Sequence, residues 1–164
     1  TLLYRRNKFK ILEKNLKQIK CDFAKESSFN KINYLKENKY DLTILCAASA
    51  DDEYSNDELM YKNNSLSYIN FINFFCFNSR KIIFLSSVAI YGKVINKNLN
   101  ENTKQNNTSR YGQSKKIGEE ILENMSKKYV SKKFIILRLP GVLGVGVKNI
   151  FIQKLVKSIK QNQK

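Results

Sequence analysis

Histidine is missing from all 164 residues. Without it the chain cannot build a Ser-His or Cys-His catalytic pair or a histidine-ligated zinc centre, and no metal site is expected. Cysteine is scarce and odd in number. Cys21, Cys46 and Cys76 lie far apart, each in or beside an apolar run. That fits reduced, buried thiols of a cytoplasmic protein rather than a disulfide framework. Tryptophan is absent, proline occurs once at Pro140, and the first glycine is Gly92. No apolar run is long enough to span a membrane, Asn70 and Asn73 interrupting the most apolar stretch, and no signal peptide is visible. Acidic residues are few, 14 Asp and Glu against 30 Lys and Arg, a net charge of +16. Such an excess could serve a polyanion. The lysines, however, are spread along nearly every segment instead of forming a stripe, so they read as a solvated surface and no nucleic-acid partner is expected.

What remains is an ordinary globular composition, 42% hydrophobic and 12% aromatic, enough for one core. Thr1 to Tyr4 reads as a short strand ending at Arg5-Arg6, and Ile19 to Phe23 as a second. Ser27 to Asn38, with Phe29, Ile32 and Leu35 on one side and Ser27 or Ser28 as N-cap, reads as an amphipathic helix. Tyr40 to Cys46 is a nearly continuous apolar run suited to a parallel strand covered on both faces. It ends in the small residues Ala47-Ala48-Ser49-Ala50. A long helix follows the acidic stretch from Asp51 to Glu58. Its apolar face of Leu66, Ile69, Ile72, Phe75 and Cys76 is widened by Phe71, Phe74 and Phe77, which suggests burial on two sides and a homodimer. Lys81 to Leu85 is another buried-type strand, Val88 to Thr108 a polar loop, Ser109 to Lys128 a helix, Phe134 to Arg138 a strand, and Ile150 to Lys160 a last helix.

Strands alternating with helices give an α/β fold, a Rossmann-like doubly wound and mostly parallel sheet. Ligands of such sheets bind at the carboxyl ends of the strands. The small residues after Cys46, Ser86-Ser87 after Leu85, and Pro140-Gly141 after Leu139 all fall there, so three loops converge on one crevice. Tyr111 and Lys115 are spaced i, i+4, one turn apart on a helix face. An ammonium within roughly 4–6 Å favours a phenolate by about 1–3 pKa units. The pair could therefore work as an acid/base near neutral pH; a solvated Tyr and Lys on a helix surface is the plainer alternative.

Five ordered pieces, Cys21-Asp22-Phe23, Leu45-Cys46-Ala47-Ala48, Ser86-Ser87-Val88-Ala89-Ile90-Tyr91-Gly92, Tyr111-Gly112-Gln113-Ser114-Lys115 and Arg138-Leu139-Pro140-Gly141-Val142-Leu143-Gly144, resemble the extended short-chain dehydrogenase/reductase family of nucleotide-sugar epimerases, dehydratases and reductases. The resemblance runs along essentially the whole chain. It implies an NAD(P)-dependent enzyme acting on a nucleotide-sugar substrate by hydride transfer. Tyr111 would move the proton of a sugar hydroxyl, Lys115 would lower the tyrosine pKa and hold the nicotinamide ribose, and Ser87 would hydrogen-bond the reacting oxygen. Asp22 and Phe23 would meet the adenine, Cys46, Ala47, Ala48, Ser49 and Ala50 would pass under the cofactor, Asn64 or its neighbour Asn63 would steady the site, and Pro140 would lie beside the nicotinamide. Arg5 and Arg6 stand where the adenosine ribose is met, with no acid for a 2′-hydroxyl, so NADP is favoured slightly over NAD.

The chain also departs from the family pattern. No glycine-rich turn follows an opening strand, and no substrate domain follows the last helix. Residues 1–164 are therefore expected to be a partial Rossmann domain carrying the catalytic residues, inactive alone. Val88-Ala89 stands where the family's dehydratases carry Asp-Glu, which argues against dehydration and leaves epimerisation or ketone reduction. Gly141, Gly144 and Gly146 do not follow the order of a phosphate loop. A catalytically silent Rossmann-like binding module and a basic nucleic-acid binder are the competing classes; survival of function in a Tyr111→Phe variant would favour the first, and steeply salt-dependent binding that survives loss of both Tyr111 and Ser87 the second.

Overall fold

The computed structural model describes residues 1–5, 14–49, 56–94, 98–142 and 151–162. The strands are β1 (Leu2–Tyr4), β2 (Gln18–Lys20), β3 (Thr43–Leu45), β4 (Lys81–Ser87) and β5 (Lys133–Leu139). The α-helices are α1 (Asp57–Phe75), α2 (Arg110–Lys128) and α3 (Phe151–Asn162). The strands form two parallel groups, β1-β2 and β3-β4-β5, the α/β architecture the sequence pattern implies. In the larger group the register aligns Leu45 with Phe84 and Phe84 with Ile136, so all three strands end on one edge.

The amphipathic helix expected over Ser27 to Asn38 is present as a 3-10 helix, Glu26–Glu37. The apolar spacing suits that form. Residues three apart eclipse one another in a 3-10 helix, which puts Phe29, Ile32 and Leu35 in one buried row. Neither Ser27 nor Ser28 caps it; the N-cap position is Lys25, with no side-chain cap bond. The long helix starts earlier than the acidic stretch suggests. Asn56 caps it by accepting from the Glu58 and Leu59 amides, and Asp57 and Glu58 sit in its first turn, where negative charge complements the helix dipole.

The buried side of α1 is Met60, Asn64, Tyr68, Phe71, Ile72, Phe74 and Phe75, whereas Ile69 and Phe77 are exposed. Its aromatic breadth is used within the chain. Phe71 meets Phe23 edge-on at 5.2 Å, Phe74 packs on Phe29, and Phe75 on Tyr40. On the other side α1 packs against α2, so both covered sides are intramolecular.

α1 and α2 cover one face of the larger sheet, where Leu45, Ile82 and Phe84 are buried. The other face carries Ile44, Ile83, Ile135 and Leu137 by the two-residue alternation and the register. Ile44 and Leu137 are 46% and 40% exposed, so β3 is not covered on both faces as its apolar run suggests. Among the described residues β1 pairs only with β2, and β3 only with β4. A cavity of about 680 Å3 lies against both strands, lined by Leu2, Leu3 and Tyr4 on one side and by Thr43, Ile44 and Leu45 on the other.

Candidate active site

The site is assembled where β4 ends and α2 begins. Ser87, the last residue of β4, accepts a 3.1 Å hydrogen bond from the Ala89 amide and so caps the 3-10 turn Val88–Tyr91. Only its oxygen lone pair is spent on that cap, since the amide is the donor. Ser109 caps α2 by accepting from the Gly112 amide at 3.1 Å. Gly112 lets the two elements touch. A Cβ there would stand 2.3 Å from the Ala89 carbonyl oxygen and 2.5 Å from Thr108 Cγ2. The missing side chain thus places Tyr111 beside the turn that Ser87 opens.

Lys115, one turn along, is 3% exposed. Its Nζ donates to the Leu85 carbonyl oxygen at 2.7 Å and lies 5.8 Å from the centre of the Tyr111 ring. Tyr68 of α1 and Phe84 of β4 form the rest of its wall, 5.4 and 5.0 Å from the ammonium. Burial pulls its pKa down to about 8, while the fields of Cys46 and Glu119 act upward. Lys115 is thus a charged group below about pH 8 and a neutral one above, close to a phenol.

Asn64 rather than Asn63 is the buried helix asparagine. Its Oδ1 accepts from the Ser49 amide, and its Nδ2 donates to the Ser49 carbonyl, to Ser114 Oγ and to Met60 Sδ. One side chain therefore fixes the loop after β3 to both helices. Arg5 reaches the same loop, donating from Nη1 to Ser49 Oγ at 3.2 Å, so the carboxyl ends of β1 and β3 are bridged. The 680 Å3 cavity reaches this rim, with Arg5, Cys46, Ala47, Ala48, Ser49 and Asn64 in its lining. Small side chains, which let a ligand approach the backbone closely, and a cation suit a dinucleotide there, so these residues fit that group.

The remaining candidates take different places. Cys46 is exposed, against the expectation of a buried thiol, because it lies past the end of β3 on the cavity rim; Cys21 and Cys76 are buried as expected. Asp22 Oδ1 accepts from the Ala24 amide at 3.1 Å and closes a turn. Phe23 is 8% exposed and packs in the core with Phe29 and Phe71, while also touching the cavity. Pro140 is exposed just beyond β5. Arg6, Ala50, Gly144 and Gly146 lie outside the described residues.

The motifs give no role to two charged residues of the site, Glu119 and Arg138, although Arg138 opens one of the five pieces. Glu119 is 3% exposed, and Arg138 clamps it, Nη2 donating to Oε2 at 2.7 Å and Nε to both carboxylate oxygens. Ser86 Oγ also donates to Oε1. Arg138 Nη1 continues to the Tyr91 hydroxyl at 2.9 Å and to the Glu101 carbonyl at 2.8 Å. The signal was available: Glu119 lies i+4 from Lys115 and i+8 from Tyr111, and Arg138 interrupts an apolar strand.

The model of the NAD dependent epimerase/dehydratase family matches residues 1–164. No curated protein matches the chain. Among solved structures, the UDP-Glc/GlcNAc 4-epimerase of Campylobacter jejuni is 26% identical, with a TM-score of 0.67 over 76% of this chain and 38% of that one. The UDP-glucose 4-epimerase of Bifidobacterium longum, in complex with NAD+ and UDP, is 27% identical, with a TM-score of 0.65 over the same shares, 76% and 38%. The fold extends to a thiolation-reductase di-domain of an archaeal non-ribosomal peptide synthetase, 16% identical with a TM-score of 0.68 over 97% of this chain and 51% of that one. The chain spans about two-fifths of the length of the two epimerases.

Proposed function

The chain belongs to the NAD dependent epimerase/dehydratase family, and from that premise we propose that it carries the proton-transfer centre of an enzyme that epimerises a nucleotide-linked sugar. The observation that carries this reading is the placement of Lys115, buried and hydrogen-bonded at the end of β4 with its ammonium 5.8 Å from the Tyr111 ring. A cation held there favours the phenolate form of Tyr111, so the phenol can give and take the proton of a sugar hydroxyl. Ser87 keeps its hydroxyl proton for the oxygen that gains charge. A bound nicotinamide dinucleotide supplies the hydride acceptor and donor. Arg5, Cys46, Ala47, Ala48, Ser49 and Pro140 would line its path, with Asn64 holding the loop that carries Ser49. Arg5 already donates to Ser49, and a relative binds NAD+; both favour NAD over the NADP preference that Arg5-Arg6 suggests.

We read the chain as the catalytic part of a larger Rossmann domain. The support is the cavity against β1 and β3, whose strand edges pair on one side each among the described residues. A further apolar strand would satisfy both rows of backbone groups. Turnover of UDP-sugars by the natural polypeptide, compared with its Tyr111→Phe variant, tests the function. A loss of at least about 100-fold is expected for a removed acid/base, and unchanged turnover in the variant would overturn the reading.

A further inference from the structure

Glu119 has no part in the proton transfer just described, yet it is the most buried acid of the described chain and its surroundings are built around it. It lies one helical turn beyond Lys115, on the same face of α2. Its carboxylate receives Ser86 Oγ on Oε1, Arg138 Nη2 on Oε2, and Arg138 Nε across both. Ser86 is the residue between Leu85, whose carbonyl holds the Lys115 ammonium, and Ser87. One carboxylate therefore touches the strand end that orients both Lys115 and Ser87, and its charge is fixed in place by a cation from β5.

We propose that Glu119 is a positioning residue of this site, locked by Arg138 and Ser86 so that its negative charge keeps the buried Lys115 ammonium protonated and seated on the Leu85 carbonyl. The inference rests on the assignment of Lys115 as partner of Tyr111, but its test needs no turnover. Burial alone drives Lys115 toward the neutral amine, and the groups facing it are few. From α2 these are Tyr111 and Glu119, from α1 Tyr68, from the end of β3 Cys46, and from β4 the Leu85 carbonyl; Arg138 of β5 stands behind Glu119. Cys46 and then Glu119 act on Lys115 in the direction that retains the proton; burial pushes the Cys46 thiol up, away from its charged form, and Glu119 is the only carboxylate of these groups.

The test is the titration of Lys115, followed by NMR of lysine labelled with 13C at Cε in the natural polypeptide, against Glu119→Gln and the paired Glu119→Gln/Arg138→Gln variant. The Lys115 signal is assigned by its loss in Lys115→Met. The proposal expects the Lys115 pKa to fall by about 1 unit in Glu119→Gln. Mere loosening of the structure would let water in and move it the other way, toward the ordinary lysine value. The paired variant removes the guanidinium together with the carboxylate it clamps, so Arg138 is not left unpaired, and it covers the case in which the single variant fails to fold; there too the pKa must fall. An unchanged or raised Lys115 pKa in a folded variant overturns the proposal. A lowered pKa in a protein that epimerises nothing leaves the positioning role standing and the proposed reaction refuted, so the two failures are distinct.

Discussion

The Lys115 ammonium donates a 2.7 Å hydrogen bond to the Leu85 carbonyl oxygen, two residues before the hydroxyl of Ser87. A helix lysine and the end of a strand are thereby fixed to one another, and the pH dependence of the site follows from this contact. The Lys115 pKa lies near 8 because of burial. Its positive charge is present below that value and is lost as pH rises through it. Activity that depends on the charge should show an alkaline limb near pH 8. In Lys115→Arg, whose guanidinium stays protonated throughout, the rate should be lower but the limb absent. Rate profiles of the two proteins between pH 6 and 10 check this.

The same shift has a stability consequence of definite sign. The folded-state pKa of Lys115 is depressed from 10.5 to about 8. Between those values the unfolded chain binds a proton that the folded chain does not, so this residue's penalty on stability is full below about 8 and is relieved as pH rises toward 10.5. Two and a half units correspond to at most about 3 kcal/mol. Lys115→Met, which carries no charge to bury, should gain stability over wild type at pH 7, and the gap should narrow by pH 9.5. Urea denaturation of both proteins at the two pH values measures it.

Asn64 makes a separate prediction. Its amide pairs with both the amide and the carbonyl of Ser49 in a buried setting. Asn64→Ala removes both of those hydrogen bonds, a loss of about 1–3 kcal/mol in all. The Ala47 to Ser49 loop should become mobile, and dinucleotide affinity should fall at least about 10-fold, since 1.4 kcal/mol is a factor of ten. Calorimetric titration with NAD+ decides it; equal affinity in a folded variant would remove Asn64 from the cofactor account.

These contacts differ in how legible they were. Tyr111 and Lys115 could be paired from spacing alone, because i, i+4 on a helix is a geometric statement and Ser109 marks where that helix starts. Phe29, Ile32 and Leu35 are legible as one apolar row of an amphipathic helix, and they form one; a three-residue period alone leaves the helix type open, and a 3-10 helix forms. Cys46 looked buried because its neighbours Ile44 and Leu45 are apolar, whereas burial at a strand's end depends on what covers that end. Glu119 belongs to none of the five ordered pieces. Its i+4 spacing from Lys115 puts it on the same face of α2, but that an arginine 19 residues away holds it follows only from the fold.

Gly112 offers a test of how closely the site is packed. A methyl group there would press on the Ala89 carbonyl oxygen, which is backbone and cannot rotate away. Gly112→Ala should destabilise the protein by about 1–3 kcal/mol through overpacking. It should also push the first turn of α2 off the Val88–Tyr91 turn. Turnover should then fall more than stability alone accounts for, as activity measured well below the melting temperature would reveal.

Ile44 distinguishes a chain that is a complete folding unit from one that completes a larger sheet. In the structure Ile44 is 46% exposed on the open face of β3 and lines the cavity against β1. If it stays exposed in the natural polypeptide, Ile44→Asn is a surface change and costs within about 0.5 kcal/mol. If a further strand pairs with β3 and its covering layer closes over that face, the isoleucine becomes a core residue. Substitution by a polar amide then costs the lost burial of a whole side chain, about 1.5–3 kcal/mol, before any penalty for the amide. Chemical denaturation of the natural polypeptide and its Ile44→Asn variant separates the two. A difference above about 2 kcal/mol supports the larger sheet; a difference inside the surface range shows that β3 ends the sheet as it stands here.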